Sequence, residues 1–528
     1  MAIKLNDQEQ HKSPSTVFAD LSANDTRWQS WFLIILLSVF SVRIAVLIFA
    51  KHDLGPDESQ YWFWSQTPAF GYFSKPPMIA WVIGTTTSIL GEGEAAIRLS
   101  APTFHCVTAF LLFLLGRSLF TAETGFWSGV SWLMLPGVSV SSAIISTDAL
   151  LLCFWTLALL FTSRISAGLD QTDTNEFPLR DCLLLGGAIG FGLLSKYAMV
   201  YFVLGLVLLI LTQPRFRQKA FVLPIVWSMA LGVLLLSPNI LWNARNDFQT
   251  LSHTAANANW TSNPFHPLEL LEFLGAQFGV IGPLMMLIVL SSIPFAIRIL
   301  REKVNANRDW RYAFLLAFTL PPITIVSAQA LLSRAHANWA ATSYPSAVVL
   351  AIAVLLMIRR RQADASSTQT PVVPFSKNIL PASTGLNVAI FALFSLMLIV
   401  PNLADTLHLG GVFKTVRGWK THAEAISALA EDYDAIACDD RDCMGALLYY
   451  GYTDKPVFAL ETNLKIENHY EAFLPLEDRS EDRLLFASFF SNGETAQARF
   501  SEITRVGQSK VQIAPNVSRT LYLFEIDE

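Results

Sequence analysis

The sequence predicts a polytopic α-helical membrane protein of about 11–13 spans with a small C-terminal α/β periplasmic domain. Three observations predict it. Apolar runs of spanning length recur from Trp31 to Val400. Only 15% of the residues are charged, against about 25% in an ordinary soluble domain. After Pro401 the long apolar runs stop and charge density rises, the composition shift that marks a second, soluble unit.

Taken in order, residues 1–28 are polar (Asp7, Gln8, Glu9, Gln10, Lys12) and read as a cytoplasmic N-terminal segment. The apolar run that follows is long enough to stay in the membrane, so no cleavable leader is expected. A transmembrane domain is expected over 29–401, with candidate spans at 31–50, 98–119, 125–146, 148–164, 182–196, 198–213, 220–241, 272–297, 312–331, 339–358 and 384–401. Each approaches the ~20 apolar residues that a crossing helix needs. Met78–Leu90 is too short and too rich in Thr to span; it reads as an interfacial or re-entrant segment within an outer loop 51–97. Residues 362–380, rich in Ser, Thr, Pro and Ala, read as a linker. Residues 402–528 form the soluble domain. There His422–Asp432 and Met444–Tyr450 look helical, and Asp434–Cys438, Lys455–Ala459, Asp482–Phe489 and Thr520–Glu525 look like strands.

Loop charges orient these spans, because Lys and Arg collect in short cytoplasmic loops. With the N-terminus inside, the inner loops hold Arg117, Arg164, Arg180, Arg215, Arg217, Lys219, the group Arg298 to Arg311, and Arg359-Arg360-Arg361. The outer loops hold only Lys51, Lys75, Arg98, Lys196, Arg245 and Arg334. An odd number of spans then puts the C-terminal domain outside. The formal net charge of −5 gives no electrostatic reason to expect a nucleic acid partner.

Of the five cysteines, Cys106, Cys153 and Cys182 lie in or beside apolar spans and read as packing residues. Cys438 and Cys443 lie in the polar tail, where a disulfide and two unpaired thiols are both open; an extracytoplasmic tail favours the former.

Polar groups on the outer side are sparse, so those present are informative. The densest cluster is Asp53, Asp57, Glu58, Gln60, Tyr61, Tyr72, Ser74 and Lys75, followed by Pro76-Pro77. Asp57-Glu58 follows Gly55-Pro56. The bland reading is a capped juxtamembrane helix, with Pro in its first turn and the acids on its dipole. The functional reading is a carboxylate able to take a proton from a nucleophilic hydroxyl. Two adjacent acids cannot point the same way on a helix, so one faces the reacting centre and the other has a second role. Lys75 is either a snorkelling anchor or a point charge for a phosphate. Asp148 is a first-turn acid of a span, a second active-site acid, or both. Lys196, inside a strongly apolar stretch, is expensive there and a functional candidate by default. The loop 237–271 carries Arg245, His253, Trp260 and His266, and the turn at 334–339 carries Arg334, His336 and Asn338. Such a mixture suits a sugar- or headgroup-facing surface, or an interfacial aromatic belt. Arg245 and Arg334 compete to clamp a phosphate. No Walker sequence or HExxH pattern is present.

The series Asp57-Glu58-Ser59-Gln60-Tyr61, Lys75-Pro76-Pro77 and Thr147-Asp148-Ala149 resembles the glycosyltransferase C superfamily, in its bacterial branch similar to the lipid A aminoarabinose transferase and to the protein O-mannosyltransferases. Asn338-Trp339 and Asn468-His469-Tyr470 fit that branch too. The resemblance implies a multi-pass protein of the bacterial inner membrane that moves a sugar from a polyprenyl phosphate to a lipid or glycolipid acceptor on the periplasmic side: lipid A, lipopolysaccharide core or another envelope glycolipid. It implies Asp57 as catalytic base, with Asp148 and Glu58 as further catalytic candidates. Lys75, Arg245, Arg334 and Lys196 would bind the donor phosphate, and Tyr61, His253, Trp260, His336 and Asn338 the substrate. Some relatives hold a divalent metal, for which His253, His266 and His336 are candidate ligands. A uronic acid would ask for one cation more, from Lys196 or Arg334. The alternatives are a protein O-glycosyltransferase and a lipid-linked-sugar transporter or flippase. A transporter would show paired halves with broken helices, and no internal repeat is evident.

Overall fold

The computed structural model describes residues 23–170, 177–256, 265–301, 310–365, 375–461, 465–476, 483–497, 499–500 and 502–527. The chain builds a helical body and then a tail that carries a sheet. The body opens with α1 (Ala23–Phe49), followed by the short helices α2 (Pro56–Ser65), α3 (Met78–Leu90) and α4 (Glu94–Arg98). It continues with α5 (Ser100–Leu119), α6 (Ala122–Met134), α7 (Pro136–Ser141), α8 (Thr147–Gly168), α9 (Leu179–Ser195), α10 (Tyr201–Thr212), α11 (Lys219–Arg245) and α12 (Gln249–Ala256). It closes with α13 (Pro267–Ile281), α14 (Pro283–Arg301), α15 (Trp310–Leu332), α16 (Tyr344–Ala365) and α17 (Phe375–Ile399). Among the described residues, eight helical segments are by themselves long and apolar enough to cross a bilayer. α8 and α16 lie at the centre of the body and are buried along most of their length. α1 and α11 turn Trp31, Ile34, Leu37, Val226, Trp227 and Leu234 outward, as helices facing lipid do.

Two of the expected spans are broken. The apolar run 125–146 divides into α6 and α7 at Leu135, whose ψ of 134° leaves the helix. Pro136 forces that, because its ring crowds a helical residue before it. The run 272–297 is not one span either. Gly282, at φ +86°, turns the chain between α13 and α14, and Pro283 opens the second helix. Apolarity runs unbroken through both sites, so hydropathy alone does not see them.

After α18 (Pro401–Thr406) come α19 (Trp419–Leu429), β1 (Ala435–Cys438), α20 (Arg441–Tyr450), β2 (Val457–Ala459), α21 (His469–Phe473), β3 (Leu484–Ser488), α22 (Glu494–Gln497), β4 (Glu502–Ala514) and β5 (Val517–Asp527). The sheet order is β2-β1-β3-β5-β4, with β1 parallel to β2 and β3, and β5 antiparallel to β3 and β4. β1 and β3 are buried along their whole length, as the α/β expectation requires. β4 was not foreseen: it is an edge strand whose residues 502–512 are mostly exposed and polar.

The tail packs on the loop that joins α1 to α5. Gly445 of α20 faces Ser59 of α2 so closely that a Cβ would come within 2.5 Å of the Ser59 hydroxyl. The Tyr450 hydroxyl accepts from the Leu54 N–H and donates to Glu94, both at 2.6 Å, and Tyr449 donates to the Glu92 carbonyl at 2.7 Å.

Candidate active site

The site is built around the first turn of α2. Gly55 caps it and Pro56, which needs no amide partner there, opens it. The two acids that follow diverge. Glu58 turns inward, where Arg98 grips both its oxygens at 2.8 and 2.7 Å. The same carboxylate accepts from the Gly55 and Ile145 N–H groups, each at 2.9 Å. Arg98 spends its other N–H groups on the carbonyls of His52 and Asp53. Both side chains are about 5% exposed. Glu58, a catalytic candidate by sequence, is thus enclosed in a fork that ties α2 to α4 and to the segment before α8. Asp53, another acid of the cluster, faces the first turn of α19 and accepts from Lys420 N at 3.3 Å. Burial raises its pKa against the pull of those amides.

Asp57 points the other way and stays 60% exposed. Its partner comes from the tail: Arg441 Nη2 donates to Asp57 Oδ1 at 2.6 Å, and Nη1 donates to Gln60 Oε1 at 3.3 Å. Burial opposes the guanidinium charge, but Asp57 prevails and holds the Arg441 pKa above its ordinary value. Arg441 opens α20, between Cys438, at the end of β1, and Cys443, in the first turn of the helix. These two cysteines are bridged, with Cα atoms 6.3 Å apart. Asp440 caps the helix, accepting from the N–H groups of Asp442 and Cys443.

Lys75 ends a loop held on several sides. Asn239 donates to the Phe70 carbonyl at 2.7 Å and Thr250 to the Tyr72 carbonyl at 2.6 Å. The Tyr72 hydroxyl donates to the Trp64 carbonyl, and its ring stacks on Trp64 at 4.8 Å. The Lys75 ammonium makes no hydrogen bond or ion pair with a described residue. Burial lowers its pKa, Asp57 and Asp148 work to raise it, and Lys196 and Arg441 add to the lowering. The two side chains on which the sequence reading rests, Asp57 and Lys75, therefore lie within each other's field.

Asp148 is the second residue of α8. Its Oδ1 accepts from Lys196 Nζ at 2.6 Å and its Oδ2 from Asn338 Nδ2 at 2.7 Å. Three residues singled out separately in the sequence thus meet. The last turn of α9 delivers Lys196, and the 3-10 turn before α16 delivers Asn338. Tyr61, one turn after Asp57 on the same face of α2, is buried; burial first and the Asp57 charge second raise its pKa. His253 of α12 packs edge-on to Phe73 at 5.7 Å. Burial, then Lys75 and Arg441, lower its pKa.

The structure does not bring every candidate here. Arg245 and Arg334 are exposed, and no hydrogen bond or ion pair joins either to the cluster. The His336 ring packs on Trp339 at 5.3 Å instead. Trp260 lies outside the described residues. Among the described residues no three His, Cys, Asp or Glu side chains gather to hold a metal ion. Arg441 went unforeseen. Its only signal was its position between two cysteines already suspected of pairing.

The arrangement offers a carboxylate at the surface, an ammonium with no hydrogen-bond or ion-pair partner among the described residues, and a second acid already paired. That set suits proton removal from an acceptor beside a phosphate leaving group. Comparisons with known proteins speak to the family. Residues 74–242 match the dolichyl-phosphate-mannose-protein mannosyltransferase family. The chain is 32% identical, over 424 residues, to the lipid A galacturonosyltransferase RgtD of Rhizobium johnstonii, covering 79% of this chain and 82% of that one. It is 24% identical, over 52% of its length and 53% of the relative's, to the lipopolysaccharide core galacturonosyltransferase RgtA of the same organism. In fold it is similar to the crystal structure of ArnT from Cupriavidus metallidurans bound to undecaprenyl phosphate, with a TM-score of 0.61 at 14% identity, covering 94% of this chain and 98% of that one. The chain belongs to the family of membrane glycosyltransferases that contains the lipid A galacturonosyltransferase, a branch of the glycosyltransferase C superfamily.

Proposed function

We propose that this enzyme transfers a uronic acid, galacturonate, from a polyprenyl phosphate to lipid A on the periplasmic face of the inner membrane. The sugar and the acceptor follow from the 32% identity to RgtD, and the lipid donor from the likeness in fold to ArnT with its undecaprenyl phosphate. One observation supports the chemistry: Asp57 is exposed, Lys75 has no hydrogen-bond or ion-pair partner among the described residues, and the charge of Asp57 acts on the Lys75 ammonium.

In this reading the acceptor hydroxyl attacks the anomeric carbon from the side opposite the phosphate. The new C–O bond forms as the bond to the phosphate oxygen breaks. The leaving electron pair ends on the polyprenyl phosphate, where Lys75 balances it as a fixed charge. The hydroxyl proton passes to Asp57. Asp148, held by Lys196 and Asn338, lines the donor side. Glu58 and Arg98 set the angle at which α2 presents Asp57. The periplasmic assignment rests on the excess of Lys and Arg at the opposite ends of the helices.

Mass spectrometry of lipid A from cells lacking the protein, complemented with wild type or Asp57→Asn, tests the reading. Wild type is expected to restore one uronic acid on lipid A. Asp57→Asn is expected to lose on the order of 10²–10⁴ in rate at unchanged protein level. Lipid A identical with and without the protein would sink the acceptor, and full activity of Asp57→Asn would sink the base.

A further inference from the structure

A uronosyl donor carries two negative charges, one on the phosphate and one on the sugar carboxylate. Lys75 answers the first. The second needs another cation, and the sequence pointed to Lys196 or Arg334. Lys196 is committed to Asp148 at 2.6 Å, and Arg334 stands outside the cluster. Arg441 is differently placed. Its side chain is 40% exposed and that of its partner Asp57 60% exposed, so the pair is open to a ligand, and the charges of both act on Lys75. An ion pair open to water is weak and exchanges easily. Its Nη1 and Nη2 both face α2, one on the Gln60 amide oxygen at 3.3 Å and one on Asp57 at 2.6 Å. Two parallel N–H groups are the fork that fits a carboxylate.

We propose that Arg441 reads the sugar carboxylate of the donor, exchanging Asp57 for it as the donor binds. This rests on the uronosyl reading given above. A sugar whose phosphate sits at Lys75 and whose anomeric carbon faces an acceptor at Asp57 lies between those two groups, and Arg441 borders that space. The exchange does two things in one movement. It binds the second charge, and it releases Asp57 Oδ1 to accept the acceptor's proton. A donor with a neutral sugar leaves Arg441 on Asp57 and the base covered. The start of α20 fixes how far the guanidinium can travel. The bridge between Cys438 and Cys443 and the Asp440 cap hold the backbone on either side of Arg441, so the exchange is a swing of the side chain. Arg441 is thus a specificity-determining residue supplied by the tail.

The test uses the purified full-length enzyme in detergent with lipid A as acceptor. Two donors are compared, undecaprenyl-phosphate-linked galacturonate and undecaprenyl-phosphate-linked galactose, which differ only at C6. Steady-state constants are measured for wild type, Arg441→Gln and Arg441→Lys, with thermal unfolding as a check on the fold. Wild type is expected to prefer the galacturonate donor. Arg441→Gln is expected to lose that preference by on the order of tenfold or more, through a higher KM for the galacturonate donor, while transfer from the galactose donor rises because Asp57 is no longer covered. Arg441→Lys is expected to recover part of the loss. Equal loss with both donors assigns Arg441 to Asp57 or to docking of the tail, and overturns the proposal. So does a preference that survives in Arg441→Gln; in both cases the uronosyl reading stands. A wild type that uses only galactose, or neither donor, overturns the uronosyl reading and this proposal together.

Discussion

Asp57 and Glu58 are neighbours of the same chemistry with opposite surroundings. Glu58 satisfies two backbone amides and a guanidinium in a pocket closed to water. Removing one partner of such a pair leaves the other buried and uncompensated, at a cost of about 3–5 kcal/mol. Glu58→Gln is therefore expected to lower the unfolding temperature in detergent markedly, while Asp57→Asn leaves it near the wild-type value. Equal stabilities for the two variants would refute the assignment of roles. The sequence reading separated the acids as far as saying that one must face away, because adjacent helical residues diverge. Which one depends on Arg98, forty positions later, and nothing local points to it. Asp57, Lys75, Asp148 and Lys196 were legible because a polar group at the end of an apolar helix is costly and rare. Arg441 was not, because Asp439, Asp440 and Asp442 surround it in a soluble domain where charge is ordinary.

At the scale of elements, buried, neutral imidazoles stand inside the tail and where it meets the body. His469 opens α21 and packs among Phe63, Trp64, Tyr72 and Phe473. Burial drives its pKa down from 6.5 to about 3. Burial, with Arg417 beside it, drives His52 to about 4, and burial with Arg519 does the same to His422. The unfolded chain binds these protons at pH 6.5 and below, and the folded one does not until pH 3–4. Stability is therefore fully present above pH 6.5 and is lost as pH falls toward 3–4; His469 alone accounts for about 5 kcal/mol. Tryptophan fluorescence on acidification is expected to report release of the tail from α2. His469→Phe, which keeps a ring and removes the titration, is expected to move that transition to lower pH; an unmoved midpoint would clear His469 of the role. The same interface shows which elements could be read in advance. β1, α20 and β3 were legible as apolar runs between polar turns. β4 was not, because an edge strand facing water carries no apolar alternation. The breaks at Pro136 and Gly282 were missed because they interrupt backbone geometry without interrupting hydropathy.

At the scale of the molecule, α8 joins two chemically different surfaces. Its first turn holds Asp148 in the candidate site, and near its other end Arg164 pairs with Asp181 of α9. Its 22 residues rise about 33 Å, close to the thickness of a bilayer's hydrocarbon core. At that far end Arg215 also pairs with Asp170 and Arg360 with Glu123. Acids thus neutralise part of the basic end within the protein, and the remaining Lys and Arg of those loops carry the orienting bias, since acids count little in it. The bias predicts a definite arrangement in cells: the basic end in the cytoplasm, the site and tail in the periplasm. The chain's own cysteines leave a quiet background for testing it, because Cys106, Cys153 and Cys182 are buried and Cys438 is bridged to Cys443. Tyr452, 61% exposed on the tail, and Arg361, exposed at the basic end, are suitable reporters. In cells with a permeabilised outer membrane, an impermeant maleimide is expected to label Tyr452→Cys directly. Arg361→Cys should react only once the inner membrane is broken. The reverse pattern would put Asp57 and Lys75 on the cytoplasmic face, away from an acceptor that lies outside, and the proposed reaction would have to be abandoned.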